Sequence, residues 1–386
     1  MRTPLAWLNL ISERTRMIVA IAGVSFAVML IFMNLGFLGA LLQTSTEMYS
    51  QINAEVFLIS PQTQEISTSK TFPRDRLYQV AGIEGVKRAM PMYVGYMQWR
   101  NPETRRSRAL FAFSINPNEP VFLMPELQDA KTIRAMERPD AVLFDRRSRP
   151  EFGPQAIGTT TEVERRKVTI VGTYDLGGGF TSDGTLILSD QNFLRFFSPR
   201  SLNRIDVGLI QIDPAADIER VTQSIRDKLY VNGKPSDVLV LTKDEIIRRE
   251  QTYWLVAASL GFIFGLGVVV SFIVGTVIVY QIIYTDISDH YAEYATLKAM
   301  GYRNRYLFGV VLQESVILAI MGYIPGSMLS ALLYALTTNA TSGTLPMSMN
   351  LGRSIFVLIL TLSMCSLSGL ISVRKVMTAD PAEVFS

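Results

Sequence analysis

Charged residues are absent from four long stretches of this 386-residue chain, and those gaps set its organisation. Arg16 and Glu47 enclose 30 uncharged residues, Glu250 and Asp286 enclose 35, Glu314 and Arg353 enclose 38, and Arg353 and Arg374 enclose 20. A helix crosses a bilayer with about 20 predominantly apolar residues, and a lone charge at the bilayer centre is costly. The pattern predicts a membrane protein with four transmembrane α-helices, at 17–43, 253–284, 307–336 and 354–373. A large α+β extracytoplasmic domain, 44–252, is inserted between helices 1 and 2. The other pieces are an amphipathic N-terminus (1–16), a loop between helices 2 and 3 (285–306), a short loop (337–353) and a tail (374–386).

The second uncharged run is too long for the membrane alone. As a helix it would measure about 52 Å, against a hydrocarbon core of about 30 Å. Upstream, Asp244–Glu250 is polar and helix-compatible. This predicts a helix that starts outside as a rigid stalk near Asp244 and enters the bilayer without a break; tilt is the alternative. Gln43–Gln51 can do the same for the first span. Small residues at helical spacing, Gly261 and Gly265, Ser271 and Gly275, and Gly322 and Gly326, predict faces for close helix packing, within or between chains. Pro325 either kinks the third helix or sits where a neighbour satisfies the freed carbonyl.

In the domain, strand and helix patterns alternate. Strands are predicted at Glu55–Ile59, Val86–Arg100, Ser107–Ile115, Lys167–Tyr174, Thr185–Leu188, Arg204–Ile212 and Val238–Leu241. Arg74–Ala81 reads as a short helix stopped by Gly82, and Asp217–Leu229 as an amphipathic one with Ile218, Val221, Ile225 and Leu229 on one face. The ends of the domain must meet again at the membrane. A split βαβ unit completed by the first and last segments does this, with an inserted β-rich lobe at about 120–200.

Charge decides orientation. Arg2, Arg14, Arg16, Lys298, Arg303, Arg305, Arg374 and Lys375 fall on one side and Arg353 alone on the other. This puts both termini and the 285–306 loop in the cytoplasm, and the domain and the 337–353 loop in the periplasm. The first apolar run far exceeds the 7–15 residues of a signal peptide and is expected to be retained. Within 44–252, 28 Lys and Arg nearly balance 27 Asp and Glu, so nothing favours nucleic acid. Arg146, Arg147 and Arg149, and Arg165, Arg166 and Lys167, read as solvated strand ends and turns, with a docking patch as the alternative.

A single cysteine, Cys365, excludes an intrachain disulfide, and a single histidine, His290, excludes a His/Cys metal cluster or a Ser-His-Asp triad in the domain. No G-x-x-x-x-G-K-[ST] occurs, so no P-loop is expected. Catalytic, cofactor and metal residues are therefore all predicted to be absent. Glu314 is the one acid near a span interior; it snorkels, bonds a neighbouring helix, or handles protons or substrate. Tyr291–Met300 reads as a short helix stopped by Gly301, placed to dock into a partner's groove or to rest on lipid.

The segment Asp289–Gly326, DHYAEYATLKAMGYRNRYLFGVVLQESVILAIMGYIPG, resembles the permease superfamily of the MacB macrolide exporters, the lipoprotein-release permeases and the FtsX cell-division proteins. The shared pattern, E-x-x-x-L-K-A-[LM]-G and then a span opening with an acid, is met by Glu293, Leu297, Lys298, Ala299, Met300, Gly301 and Gln313–Glu314. The tail pattern is met by Arg374–Lys375 and Asp380–Val384, and the amphipathic start by Leu5–Arg16. The opening and the segment NAEVFLISPQT look closest to the DevC family of cyanobacterial exporter permeases.

The resemblance implies a non-enzymatic permease subunit of a tripartite ABC exporter in the bacterial inner membrane. Tyr291, Glu293, Leu297, Lys298, Ala299, Met300 and Gly301 would couple it to the ATPase. Macrolide exporters carry that ATPase on the same chain; here it is expected on a separate chain, with its ATP and Mg. The other implied partners are a membrane fusion protein, a TolC-like outer-membrane channel and a second copy of the permease. The cargo would be a glycolipid-like lipid or other envelope material. The alternative is an FtsX-like signalling permease that activates a periplasmic cell-wall hydrolase without transport.

Overall fold

Residues 14–178, 180, 182–341 and 343–377 are described by the structure, a computed structural model. The N-terminus before Arg14, Gly179 and the Asp380–Val384 motif lie outside them. The chain divides into two compact units, one built from Ala40–Gly261 with Thr338–Pro346 and the other from the remaining segments.

Helix α1 (Arg14–Gln51) leads into β1 (Val56–Ile59), β2 (Phe72–Pro73), α2 (Asp75–Ala81), β3 (Val86–Arg100) and β4 (Ser107–Ile115). Next come α3 (Ala130–Met136), β5 (Ala141–Asp145), β6 (Thr160–Val163), β7 (Arg166–Tyr174), β8 (Thr185–Ser189) and α4 (Asp190–Phe196). The domain ends with β9 (Arg204–Ile205), β10 (Val207–Ile212), α5 (Ile218–Leu229), β11 (Leu239–Thr242) and α6 (Lys243–Thr252). Nine strands form one sheet in the order β11-β1-β10-β3-β4-β8-β5-β7-β6. Its first four strands, all antiparallel neighbours, are the split βαβ unit, closed by the first and last segments of the domain.

The inserted region is not a separate lobe starting near 120. It begins at β4 and extends the same sheet. The reason is the length of β3, 15 residues, or about 50 Å. Its first half, Val86–Met92, pairs with β10, and its second half, Tyr93–Arg100, pairs with β4. Asp206 sits where the partner changes. One of its carboxylate oxygens accepts the Val94 N–H at 3.0 Å and Arg200 Nη2 at 2.6 Å, and the other accepts the Ser69 hydroxyl at 3.1 Å. This interruption splits the predicted Arg204–Ile212 strand into β9 and β10.

Both faces of the sheet are covered, so β1 reads as an unbroken apolar run. Val56 and Leu58 pack with Leu77 and Val80 of α2 and Val221, Ile225 and Leu229 of α5. Phe57 and Ile59 point the other way, toward Tyr49, Ile52 and Ile246. Ile218, in the first turn of α5, is 43% exposed and stays outside this core. The first basic cluster is no free docking patch: Arg146 bonds Asp175 and Glu126, Arg149 bonds Asp183, and Arg147 donates to the carbonyls of Leu176 and Gly343. Arg165 and Arg166 lie at the turn between β6 and β7, where Glu164 and Arg165 have positive φ.

The second unit holds most of α1 together with α7 (Ser259–Asp289), α8 (Tyr291–Ala299), α9 (Asn304–Ala340) and α10 (Leu351–Met377). Among the described residues, α1, α7, α9 and α10 are long and apolar enough to cross a membrane. Small residues bring them together. A Cβ on Gly322 or Gly326 would meet Val24 and Val28 of α1, and one on Gly275 would meet Ala27 and Met364. Ser271 is buried and bonds the Gly267 carbonyl of its own helix. Helix α9 continues through Pro325, and the Gly322 carbonyl beside it accepts the Ser25 hydroxyl at 2.9 Å.

Gly261 and Gly265 make no helix-packing face within the chain, which leaves contact between chains as the other reading: Gly261 abuts the Trp254 carbonyl, and Gly265 has nothing within 4 Å. One expectation fails: the second stalk is not continuous. A wide π-helical turn, Tyr253–Ala257, follows α6, and Ala258 is extended (ψ 136°) before α7 begins. The Trp254 indole N–H bonds Glu250 Oε1 at 3.2 Å beside this turn, and Gly261, with no Cβ, allows the bent backbone to approach. The first stalk behaves as expected, since α1 runs to Gln51 without interruption.

Asp206→Ala removes the acceptor that holds the junction in β3 and leaves Arg200 without its carboxylate. The variant is expected to lose about 3 kcal/mol, measured by denaturant unfolding of the full-length protein in detergent.

Candidate functional site

Helix α8 is short and stands between two membrane-length helices, so its ends must be fixed locally. At its start the His290 ring Nδ1 lies 3.0 Å from the Asp286 carbonyl. At its end the Tyr302 N–H bonds the Leu297 carbonyl (3.2 Å) and the Gly301 N–H bonds the Lys298 carbonyl (3.0 Å). These two bonds form a Schellman cap, and Gly301 takes its left-handed position at φ 91°. A residue with a Cβ is strained there even though nothing lies within 4 Å.

The cap decides which side chains are offered to solvent. Glu293, Met300 and Gly301 are exposed, Met300 to 63%, whereas Tyr291, Leu297 and Lys298 are half-buried. The Ala299 side chain lies outside the described residues. Tyr294 and Ala295 are buried and anchor the helix, a role that the motif spacing did not reveal. Tyr302 and Tyr306, exposed with ring centroids 4.8 Å apart, extend the Met300 surface. Their signal in the sequence was the alternation YRNRY. The surface is small, apolar at its centre and flanked by Glu293, Arg303 and Arg305, a shape suited to a groove in a partner.

Next to α8, an ion cluster joins three helices. Arg16 of α1 reaches Asp289 at 2.5 Å and Asp286 at 3.8 Å, both at the end of α7. Glu314 of α9 faces Asp286 and is 1% exposed. Glu314 Oε2 and Asp286 Oδ2 are buried without a hydrogen-bond partner. Glu314 thus lies against a neighbouring helix rather than in open lipid. The structure adds Arg16 and Asp286 as its surroundings. No spacing in the sequence links residue 16 to residue 286, so this grouping was illegible.

In the domain unit, Glu250 of α6 is buried at the domain base. Its carboxyl accepts the Tyr49 hydroxyl at 3.1 Å and the Trp254 indole N–H at 3.2 Å. Burial, and then the nearby Glu65 carboxylate, push its pKa up to about 8. Glu65 is itself buried and accepts the Ser67 N–H at 2.8 Å and the Ser67 hydroxyl at 2.7 Å. Among the described residues no group of three or more His, Cys, Asp or Glu is placed to hold a metal.

Comparison with known proteins gives two family matches: the MacB-like periplasmic core domain over residues 17–228, and the FtsX-like permease C-terminal region over residues 265–381. An uncharacterized ABC transporter permease of Methanocaldococcus jannaschii is 27% identical over 195 residues, 50% of this chain and 45% of that protein. The match thus spans less than half the length of that relative. The periplasmic region of MacB from Actinobacillus actinomycetemcomitans aligns at 11% identity and a TM-score of 0.37, covering 51% of this chain and 92% of that one. The extracellular domain of YknZ, a noncanonic ABC-type transporter of Gram-positive bacteria, aligns at 14% identity and a TM-score of 0.32, covering 49% and 100%.

The raised Glu250 pKa gives a signed pH effect. Between about 4.5, its ordinary value, and about 8 the folded state binds one more proton than the unfolded state. Stability therefore falls as pH rises through this window. Glu250→Gln removes the slope. The variant is expected to gain stability over wild type, on the order of a few kcal/mol, between about pH 5 and about pH 9. Unfolding curves of both proteins across that range check it.

Proposed function

The chain belongs to the MacB/FtsX-type permease superfamily of ABC transporters, and from that membership we propose that it is the membrane subunit of a tripartite exporter. In this reading a separate ATPase, holding ATP and Mg, docks on α8 at Glu293, Met300 and Tyr302. Two copies of the permease serve one pair of ATPase subunits. Closure of the pair moves α8 and the Arg16–Asp286–Asp289 cluster beside it. Motion then reaches the domain, which drives cargo into a membrane fusion protein and an outer-membrane duct. The cargo is a glycolipid-like lipid or other envelope material, and both termini are cytoplasmic in the inner membrane.

The observation that supports a mechanical relay is α1. It is one unbroken helix of 38 residues. Arg16, near its start, pairs with the end of α7, and Tyr49, near its end, bonds Glu250 at the domain base. A rigid rod fixed at both ends carries displacement without a polar path through the membrane. The break at 253–258 supports a reading in which α1 is the transmitting element and the second connection is a hinge.

Docking is tested by reconstitution with the ATPase. Glu293→Lys reverses the exposed charge, and Gly301→Val strains the cap by about 1–2 kcal/mol. Each is expected to lower ATPase stimulation about tenfold or more while the protein stays inserted. Unchanged stimulation in both variants would show that α8 is not the docking element. Release of radiolabelled lipid from proteoliposomes, against activation of a cell-wall hydrolase, separates export from signalling.

Orientation is tested by thiol labelling, which has little background because the native Cys365 is buried. Ser201 and Asn304 are both exposed. Ser201→Cys should react with an impermeant reagent in cells with a permeable outer membrane, and Asn304→Cys only after lysis. The opposite pattern refutes the proposed topology.

A further inference from the structure

A groove of about 520 Å³ opens beside the hinge in the domain unit, lined by Gln64, Glu245, Arg248, Arg249, Thr252 and Tyr253, with Ala257 at its end. Its polar groups are unevenly satisfied. The Glu245 carboxylate is taken by Arg226 at 2.7 Å and by the Thr242 N–H at 2.8 Å, so it adds little free negative charge. Arg249 donates to the Thr63 carbonyl at 2.7 Å, and its Nε is buried without a partner. The exposed Arg248 guanidinium makes no ion pair or hydrogen bond among the described residues. The Tyr253 hydroxyl makes no hydrogen bond among the described residues, although its ring packs edge-on against Trp254 at 5.6 Å.

The flank of the groove is apolar. Leu255 is exposed and Val256 is 77% exposed, and α7 begins three residues later at Ser259. The residues from Arg248 to Leu255 span about 10 Å along a helix. The headgroup layer of one leaflet is about 5–7 Å thick, and an arginine side chain bridges the remainder by snorkelling. With Leu255 and Val256 at the hydrocarbon edge, Arg248 and Tyr253 therefore lie at phosphate depth. Tyr and Trp favour that level, and a guanidinium matches a phosphate oxygen pair better than an ammonium does.

We propose that this groove binds the headgroup phosphate of an anionic phospholipid, with Arg248 and Tyr253 on the phosphate and Leu255 and Val256 along the upper acyl chain. The occupant is a lipid rather than a soluble phosphate ester, because the unpaired cation and the exposed apolar pair adjoin and the membrane helix follows directly. Two arginines against one neutralised acid favour an anionic headgroup over a zwitterionic one. The lipid would lie against the hinge turn 253–257, a place where occupancy changes how freely α6 and α7 turn. This site does not depend on which cargo the protein exports.

Native mass spectrometry of the full-length protein released from detergent tests the site with phosphatidylglycerol, phosphatidylcholine and glycerol 3-phosphate. Wild type should retain one phosphatidylglycerol about tenfold more tightly than phosphatidylcholine. Arg248→Glu, at an exposed position that holds no other part of the fold, should lose about tenfold or more of that affinity. Tyr253→Phe should lose a few-fold, and Arg220→Glu, exposed on α5, none. Three results overturn the proposal: wild-type affinity in Arg248→Glu, equal retention of the two lipids, or displacement of phosphatidylglycerol by an equal concentration of glycerol 3-phosphate.

Discussion

The pairing of β1 with β11 is the constraint on which the rest of this protein depends. A domain inserted between two membrane helices must return its chain to where it left. Here Val56 stands opposite Thr242 in an antiparallel ladder, so the strand that leaves α1 and the strand that enters α6 lie side by side. The ladder is reinforced at its base: the Lys243 N–H bonds the Glu55 carbonyl at 2.8 Å, and Lys243 Nζ bonds the Ile52 carbonyl at 2.9 Å. The split βαβ order follows, because β10 and β3 must then fill the far side of β1. Everything distal is an elaboration of one strand, β3, long enough to serve two sets of partners.

The two helices that flank this ladder are made differently. Helix α1 has no internal break and carries Tyr49 into the domain base. Helix α6 is held firmly at its start, where Thr242 and Glu245 form a reciprocal capping box, and ends at a wide turn. One helix is continuous and the other is broken. A burial-raised carboxyl, Glu250, accepts hydrogen bonds from Tyr49 of the first and from Trp254 in the wide turn that follows the second.

The parts of the candidate sites differ in how far they could be read. Glycine at 301 after a short helical pattern is a local signal, since a Schellman cap needs only neighbouring backbone groups. The buried anchors Tyr294 and Ala295 were not legible, because burial depends on what packs above them. The ion cluster of Arg16, Asp286, Asp289 and Glu314 joins residues up to 298 positions apart, and no local pattern records such a meeting. Gly261 and Gly265 satisfy a helix-packing spacing, but within the chain one of them packs on a bend of its own backbone and the other has nothing within 4 Å, so the spacing alone does not say what they face.

Four membrane helices, a domain after the first of them and the split βαβ scheme were determined by the sequence alone. They rest on charge exclusion from lipid and on residue periodicity, which act over neighbouring positions. Tertiary structure decided the continuation of the sheet through both halves of β3, the break at Ala258, the partners of Arg146, Arg147 and Arg149, and the companions of Glu314. Except at Ala258, each of these sets a local preference against a partner distant in the chain. Asp206 ends a strand that its neighbours would continue. Local rules name the preference, but only the folded arrangement supplies the partner that overrides it.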